Sequence, residues 1–283
     1  MDEAAMAAGH RRGAGFDPDE VNRRTWQRRG TVATYRKLHG WTDPGEQAAI
    51  ESVASRVRGE PILDIGVGAG RTTDLLRPIS PLYVGIDYTP EMVTACRIAH
   101  PGVRFQQMDA RDLGTFDDGA FALAVFSFNG IDSVPAHDRA RVLAEVHRVL
   151  RPGGLFVVSS HNRQGPGVHE RPALHVPFSA NPLRLGWRVL RQLSSMPRSW
   201  ANHLRLRAAN EEHDTWALRN CGAHDFGLLV VYTTRAQQER ELAQAGFEVE
   251  ATFGNLGPRP LRDGDDTHDV WWFHHVARKT AVH

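Results

Sequence analysis

Three carboxylates and a run of glycines carry most of the chemical information in this chain. Ile62-Leu63-Asp64-Ile65-Gly66-Val67-Gly68-Ala69-Gly70-Arg71 reads as a strand that enters a glycine turn and then a helix. Glycine is required where a backbone takes positive φ or lets a ligand touch the main chain. The spacing is Gly-x-Gly-x-Gly, whereas a dinucleotide turn uses Gly-x-Gly-x-x-Gly to seat a pyrophosphate at a helix N-terminus. Asp64 at the entrance of the turn would face a pyrophosphate badly and suits a zwitterionic ligand with a cationic centre. A tight βα turn without a ligand is the plainer reading of the glycines alone. Asp87 ends the next apolar run, 23 residues after Asp64, where an acid accepts from both ribose hydroxyls. With Pro90 close behind, Asp87 would also serve as a helix N-cap. Met92 is placed to pack against a purine face or to fill the core. Met108-Asp109-Ala110 closes a third run. Asp109 there suits the exocyclic amine of adenine, with Met108 lining the ring, or is a solvated turn acid.

The elements that must position these groups alternate. Strands are expected at 61–65, 82–86, 103–106, 121–126 and 155–159, with helices at 70–77, 90–99 and 138–150. Strand–helix alternation builds βαβ units and a parallel sheet with helices on both faces, and ligands collect at the carboxyl ends of its strands. Upstream, a helix is expected from Trp26 to Leu38. A second opens at Asp43-Pro44, an N-cap followed by proline at the first helical position. Residues 1 to about 25 lack periodicity and read as fraying. Residues 164–222 break the rhythm: Pro166, Pro172 and Pro177 come early, and helices are expected at 182–194 and 199–210. The rhythm returns with strands at 226–233, 247–253 and 270–278 around a helix at 235–245. The division is therefore an N-terminal extension over 1–57, an α/β core over 58–163, an insertion over 164–225 and the rest of the core over 226–283.

Composition is that of an ordinary globular chain: 283 residues, 41% hydrophobic and 24% charged, which excludes a wholly disordered one. Apolar runs such as 121–126 fall far short of the roughly 20 residues that cross a bilayer. The first twenty residues have no apolar core of signal-peptide type, so the expectation is a cytoplasmic protein. With 34 basic and 33 acidic side chains the formal charge is +1, which gives no general case for nucleic acid or membrane as partner. Cys96 and Cys221 make neither a disulfide framework nor a metal spacing, and Cys96 reads as a small core residue. No metal site is expected among the fifteen histidines.

Taken together, LDIGVGAGR (63–71), GIDYTPEMV (85–93), FQQMDARDL (105–113), FALAVFSFNGID (121–132) and VLRPGGLFVVSS (149–160) resemble the class I S-adenosylmethionine-dependent methyltransferases. The likeness is to bacterial small-molecule enzymes of the quinone and natural-product type. It covers about residues 58–160, with a weaker match over 235–280. It implies a doubly wound, seven-stranded, mostly parallel Rossmann-like sheet with an inserted substrate lid, and S-adenosyl-L-methionine as cofactor. Residue by residue, it implies Asp64, Gly66, Gly68 and Gly70 at the methionine end and Asp87 at the ribose with Tyr88 beside it. Met92, Met108, Asp109 and Ala110 would surround adenine, Phe126 to Asn129 would flank the sulfonium and substrate, and Tyr35 would reach the cofactor carboxylate. Phe128 and Asn129 then touch substrate. Ser127-Phe128-Asn129-Gly130 stands where enzymes acting on nucleobase or glutamine amines carry Asn/Asp-Pro-Pro-Tyr/Phe, which argues against that substrate class.

Methyl transfer from a sulfonium is an in-line displacement in which the protein aligns the nucleophile and excludes water. A hydroxyl acceptor needs a base; an amine or activated carbon needs mainly proximity. The candidate bases at strand ends are His161 and Asp132, with Asn162 placed to orient substrate. A loop histidine binding a carbonyl is the competing reading of His161. Arg184, Arg188 and Arg191 fall at helical spacing and would suit an RNA phosphate track. The interleaved Leu183, Trp187, Leu190 and Leu193 read instead as a lid packed on the core, with a solvated arginine face. A small-molecule methyltransferase is the leading reading. An RNA methyltransferase and a non-catalytic cofactor-binding protein are the alternatives, and homodimerisation is left open.

Overall fold

The computed structural model describes residues 16–174, 176 and 178–280. Pro177 and residues 1–15 of the stretch expected to fray lie outside them. Helix α1 (Pro18–Trp26) forms within that stretch. Asp17 supplies the cap and Pro18 the first turn, the same Asp-Pro signal that opens α3 (Pro44–Ala54) at Asp43. The helix expected over 26–38 is α2 (Arg29–Tyr35) alone.

Strands β1 (Ile62–Ile65), β2 (Tyr83–Asp87), β3 (Arg104–Gln107), β4 (Phe121–Phe126) and β5 (Leu150–His161) follow with α4 (Thr73–Leu76), α5 (Pro90–Ala99) and α6 (Arg139–Val149) between them. The long sheet has the order β3-β2-β1-β4-β5-β10-β9, where β9 is Phe247–Gly254 and β10 is Trp272–Lys279. The first five strands are parallel, and β10 runs antiparallel to both β5 and β9. Strands β1, β2 and β4 are buried along their whole length, which explains why they read as unbroken apolar runs. Side chains alternate across the sheet: Leu63 and Ile65 enter one core layer with Phe126, Val146 and Phe156. Ile62 enters the other with Ile50, Leu76 and Leu123.

The strand expected at 226–233 forms as β8 (Leu228–Thr233), but in a second sheet with β6 (Glu211–Glu212) and β7 (Trp216–Cys221), all antiparallel. The reason is that β10 takes the free edge of β5, pairing Trp272 with His161 through to Arg278 with Leu155. This leaves β8 only the isolated bridge from Thr233 to Asn162. Helix α8 (Arg235–Gln244) then returns the chain to the long sheet.

The two helices expected over 182–194 and 199–210 are one, α7 (Pro182–Leu206), with Pro197 inside it. Proline there forfeits one i→i−4 bond, and the helix carries through. Its first half has no buried residue, whereas Ser199, Asn202 and Leu206 anchor its second half. The leucines and tryptophan expected to pack on the core do not: Leu183 is 84% exposed and Trp187 62%.

Helix α1 is held at the small sheet by two buried side chains; Thr25 Oγ1 donates to the Gly227 carbonyl at 2.7 Å. Asn22 donates through Nδ2 to the Ser133 and Leu229 carbonyls at 3.0 and 2.7 Å, and its Oδ1 accepts from Leu229 N–H at 2.9 Å. Asn22→Leu strands these groups, at about 1–3 kcal/mol for each buried group left unpaired. Amide exchange in α1 and β8 should quicken while that of β1 and β4 is unchanged. Equal acceleration in the long sheet would show that α1 is not a separately released clasp.

Candidate functional site

A cavity of about 290 Å³ opens at the carboxyl ends of β1, β2, β4 and β5, the position that open α/β sheets reserve for ligands. The glycine turn forms one wall. Gly66 and Gly68 have φ of 64° and 57°. A Cβ on Gly66 would stand 2.8 Å from the Phe126 ring, and one on Gly68 would stand 3.0 Å from that of Tyr35. The turn is thus pressed flat between two aromatic rings, and side chains there are excluded by both conformation and space.

Asp87 lies beside this turn. Its Oδ2 accepts from Gly68 N–H at 2.9 Å and its Oδ1 from Thr89 N–H at 2.8 Å. Thr89, not Asp87, is the N-cap of α5. Burial pushes the Asp87 carboxyl up to about 6 against the pull of those two amides. Tyr88, Met92, Met108, Asp109 and Ala110 continue the wall. Arg111 grips Asp109 through Nε and Nη2 at 3.0 and 2.7 Å and also reaches Asp19 of α1 and Asp138, each at 2.9 Å. Burial would raise the Asp109 carboxyl, but these arginine bonds hold it below the usual carboxylate range.

Four sequence-predicted residues, Asp64, Gly70, Asn162 and Asp132, lie behind the wall instead of in it. Asp64 is buried beneath the turn and accepts from Thr72 and Tyr83 hydroxyls at 2.5 and 2.6 Å; burial lifts its carboxyl to about 6 against those two bonds. It does not line the cavity, so the geometry makes it a support for the turn. Gly70 packs against the His100 ring. Asn162 donates to the Thr267 and Val270 carbonyls, each at 2.9 Å, and accepts from Gln164 N–H at 2.9 Å. Its amide is used up in tying two loops together and cannot orient a substrate.

His161 and Asp132, read from the sequence as rival bases, are one unit. Asp132 sits on the short turn after β4, fully buried. Its Oδ2 accepts from His161 N–H at 2.7 Å and from His161 Nδ1 at 2.8 Å. Its Oδ1 accepts from Ser160 Oγ at 2.6 Å and Arg139 Nη1 at 2.8 Å. A carboxylate can only accept, so Nδ1 carries the imidazole proton and Nε2 is left as an acceptor. Nε2 faces Asn129 Nδ2 at 3.4 Å on the cavity side. Phe128 and Asn129 both have left-handed backbone, φ 55° and 61°, a strained arrangement for non-glycine residues that collects at functional sites. Asn129 N–H donates to Ser159 Oγ at 2.7 Å, while its buried Oδ1 has no partner in the protein.

Apart from Tyr35, which the resemblance marked, the other half of the cavity comes from residues the sequence did not mark. Arg71 is clamped by Glu46 through two 2.6 Å bonds, donates to Ser127 Oγ at 3.0 Å, and lies 4.7 Å over the Phe128 ring. Burial alone would raise the Glu46 carboxyl, but Arg71 holds it low. The arginine directly after the third glycine was the available signal. Trp26, Tyr35 and His224 stack above the turn, Tyr35 and His224 at 5.8 Å and nearly parallel. Burial lowers His224 to about 4, so its imidazole is neutral at pH 7. Cys221, whose thiol burial pushes up to about 11, Tyr232 and Trp272 complete the aromatic side. No motif announces them, because they come from the insertion, the small sheet and the last strand.

A model of the methyltransferase domain family matches residues 62–154. A probable S-adenosylmethionine-dependent methyltransferase of Mycolicibacterium smegmatis is 32% identical over 117 residues, 41% of this chain and 44% of that protein. The ubiquinone/menaquinone biosynthesis C-methyltransferase UbiE of a Geobacter species is 37% identical over 105 residues, 34% of this chain and 43% of that one. The chain thus spans less than half the length of these curated relatives. In fold it resembles the 1,6-didemethyltoxoflavin N1-methyltransferase of Burkholderia thailandensis, with TM-score 0.57, 17% identity and coverage of 94% and 92% of the two chains. The fold and turn define a Rossmann-like nucleoside-binding class. Within it, the chain is similar in sequence to S-adenosylmethionine-dependent methyltransferases.

Arg139 also binds Glu241 of α8 at 3.0 Å, so one buried cation serves two buried carboxylates. Arg139→Met leaves both unpaired and should cost about 3–5 kcal/mol in urea unfolding. A loss below about 1 kcal/mol would mean the carboxylates are not held by this cation.

Proposed function

We propose that the protein transfers a methyl group from S-adenosyl-L-methionine to a hydroxyl of a small, planar aromatic acceptor, with His161 as general base. The observation that carries this reading is the buried Asp132–His161 couple, in which His161 lines the cavity and its Nε2 meets Asn129 Nδ2 there. The residues suit the cofactor. The Asp87 carboxylate accepts from the backbone N–H groups of Gly68 and Thr89, which leaves lone pairs for ribose hydroxyls. The side-chain-free turn admits the methionine end, and Met92 and Met108 offer thioethers to the purine. Asn129 Oδ1 is a buried acceptor that a ligand donor would satisfy.

Bound there, the cofactor supplies an electrophilic methyl on a sulfonium. The protein then has two tasks, alignment and proton removal. Phe128, Tyr232 and Trp272, with Trp26 and Tyr35 above, form walls that seat a flat apolar ring and exclude water. With the cofactor bound, His161 Nε2 would take the proton of the acceptor hydroxyl, while the cofactor would supply the methyl group and retain the electron pair on its sulfur. Asp132 holds the imidazole in its reactive tautomer and stabilises the imidazolium. A relative and a neighbour are named for carbon and nitrogen methylation respectively, so the acceptor oxygen is read from His161, not from them. RNA finds less support as acceptor, since no arginine of 171–207 lines the cavity.

His161→Gln should lower single-turnover methylation of phenolic acceptors by about 10²–10⁴ while leaving affinity for S-adenosylhomocysteine nearly unchanged. A variant within tenfold of the parent, or a parent that methylates only amines and carbon acids, would sink the base assignment.

The cofactor pocket gives a separate pH prediction. Hydroxyls donating to Asp87 favour its ionised form, so binding must lower a pKa that stands near 6 in the free protein. Affinity for S-adenosylhomocysteine should therefore rise as pH increases through 6 and level off above, with a proton released at the lower end. Calorimetry in buffers of different ionisation enthalpy reads both effects, and Asp87→Asn should flatten the slope. A slope unchanged in that variant would place the titrating group elsewhere.

A further inference from the structure

The exposed apolar surface of the described protein is concentrated in one place. Eight of its twelve exposed large apolar side chains lie between Leu174 and Leu204. At about 100° per residue, Leu183, Trp187, Leu190, Leu193 and Leu204 fall within one arc of roughly 120° along α7. The arc points away from the protein, because the residues anchoring the helix, Ser199, Asn202 and Leu206, lie on its opposite side. A surface helix ordinarily turns polar residues outward; this one turns leucine and tryptophan outward. Phe178, just before it, is 84% exposed as well.

The charge on the helix is equally one-sided. Arg191 and Arg198 border one edge of the apolar arc, with Arg184 and Arg188 further round toward the anchored side, and residues 171–207 contain no aspartate or glutamate. Arg191 lies 5.6 Å over the Trp187 ring, a cation and an aromatic presented together. An outward apolar stripe bordered by arginines matches a helix lying in the plane of a membrane interface, its leucines at the acyl boundary and its cations at the phosphates. Charge argues against a second copy of the chain as occupant, since two such faces would bring their arginine flanks together; of these, Arg198 already pairs with Asp225 at 3.3 Å. Among the described residues no helix is long and apolar enough to cross a membrane, so α7 would lie on the bilayer.

We propose that α7, with Phe178 just before it, docks the protein on an anionic lipid bilayer surface. The docked helix is tied to the cavity. Asn202 Nδ2 donates to the Asp225 carbonyl at 2.9 Å, and His203 Nδ1 meets Asn220 Oδ1 at 3.2 Å. That turn also carries Cys221 and His224, which line the cavity. Docking would thus set the cavity roof beside the lipid surface.

The test is flotation of the full chain with phosphatidylcholine vesicles, with and without phosphatidylglycerol. Binding is expected to the anionic vesicles and to weaken with salt. Replacing Arg184, Arg188 and Arg191 together by Gln should weaken it roughly 100-fold, and Trp187→Glu with Leu190→Glu should abolish it. Circular dichroism and S-adenosylhomocysteine affinity matching the parent would show that each variant is folded. The proposal is overturned if the parent ignores anionic vesicles, or if the Glu variant binds them like the parent. It is also overturned if the parent is a dimer by light scattering that the Glu variant dissolves, with no vesicle binding, which would assign the face to self-association.

Discussion

The arrangement of the site depends on the burial of one carboxylate. Asp132 is out of water at the end of β4, and each of its oxygens is shared between two donors from α6 and β5. A buried charge is tolerated only when paired and hydrogen-bonded, so the turn after β4, the tip of β5 and the start of α6 have to meet there. Arg139 passes the constraint on to α8 through Glu241. The His161 ring has its position and tautomer set by this node, and Asn129 inherits its place from His161 and Ser159. Chemistry at the cavity wall is therefore a by-product of satisfying a charge behind it.

A second buried pair does the same work at the other end. Arg71 and Glu46 bridge the exit of the glycine turn to α3, and the guanidinium also faces Ser127 and Phe128 on the β4 side. Pairs of this kind contribute little net stability compared with apolar replacements, yet breaking one is costly. Their worth here lies in fixing where the turn and the β4 loop stand relative to each other. The roof is held more loosely, by Asn22, Thr25 and the Arg111 clasp. Polar contacts at the edge of a cavity are the ones that open first.

Much of the long sheet was legible because its signals are local. Strands buried on both faces read as apolar runs, glycines mark the turn, and Asp43-Pro44 marks a helix start. The position of β8 was not legible. Its sequence is as apolar as that of a core strand, and only the antiparallel return of β10 onto β5 decides that it must pair elsewhere. The insertion was misread in the same way. A period of 3.6 correctly indicates a helix with an apolar stripe, but the periodicity carries no information on whether anything covers that stripe. In the site, spacing marked Asp87, Gly66 and Gly68, which line the cavity, and Gly70, which does not; the β4 loop was marked by the resemblance. The coupling of Asp132 to His161 spans 29 residues, and the aromatic roof spans more than two hundred. Such pairings follow from topology and have no sequence period.

The central claim is that Asp132 fixes His161 with its proton on Nδ1 and an unprotonated Nε2 on the cavity side, beside Asn129 Nδ2. Nitrogen-15 NMR of histidine-labelled protein, with His161 assigned by loss of its signals in His161→Gln, reads that tautomer directly. The account predicts a protonated Nδ1 and an unprotonated Nε2 at neutral pH, with the distinction collapsing in Asp132→Asn. A proton on Nε2, or a tautomer mixture indifferent to Asp132→Asn, would contradict it.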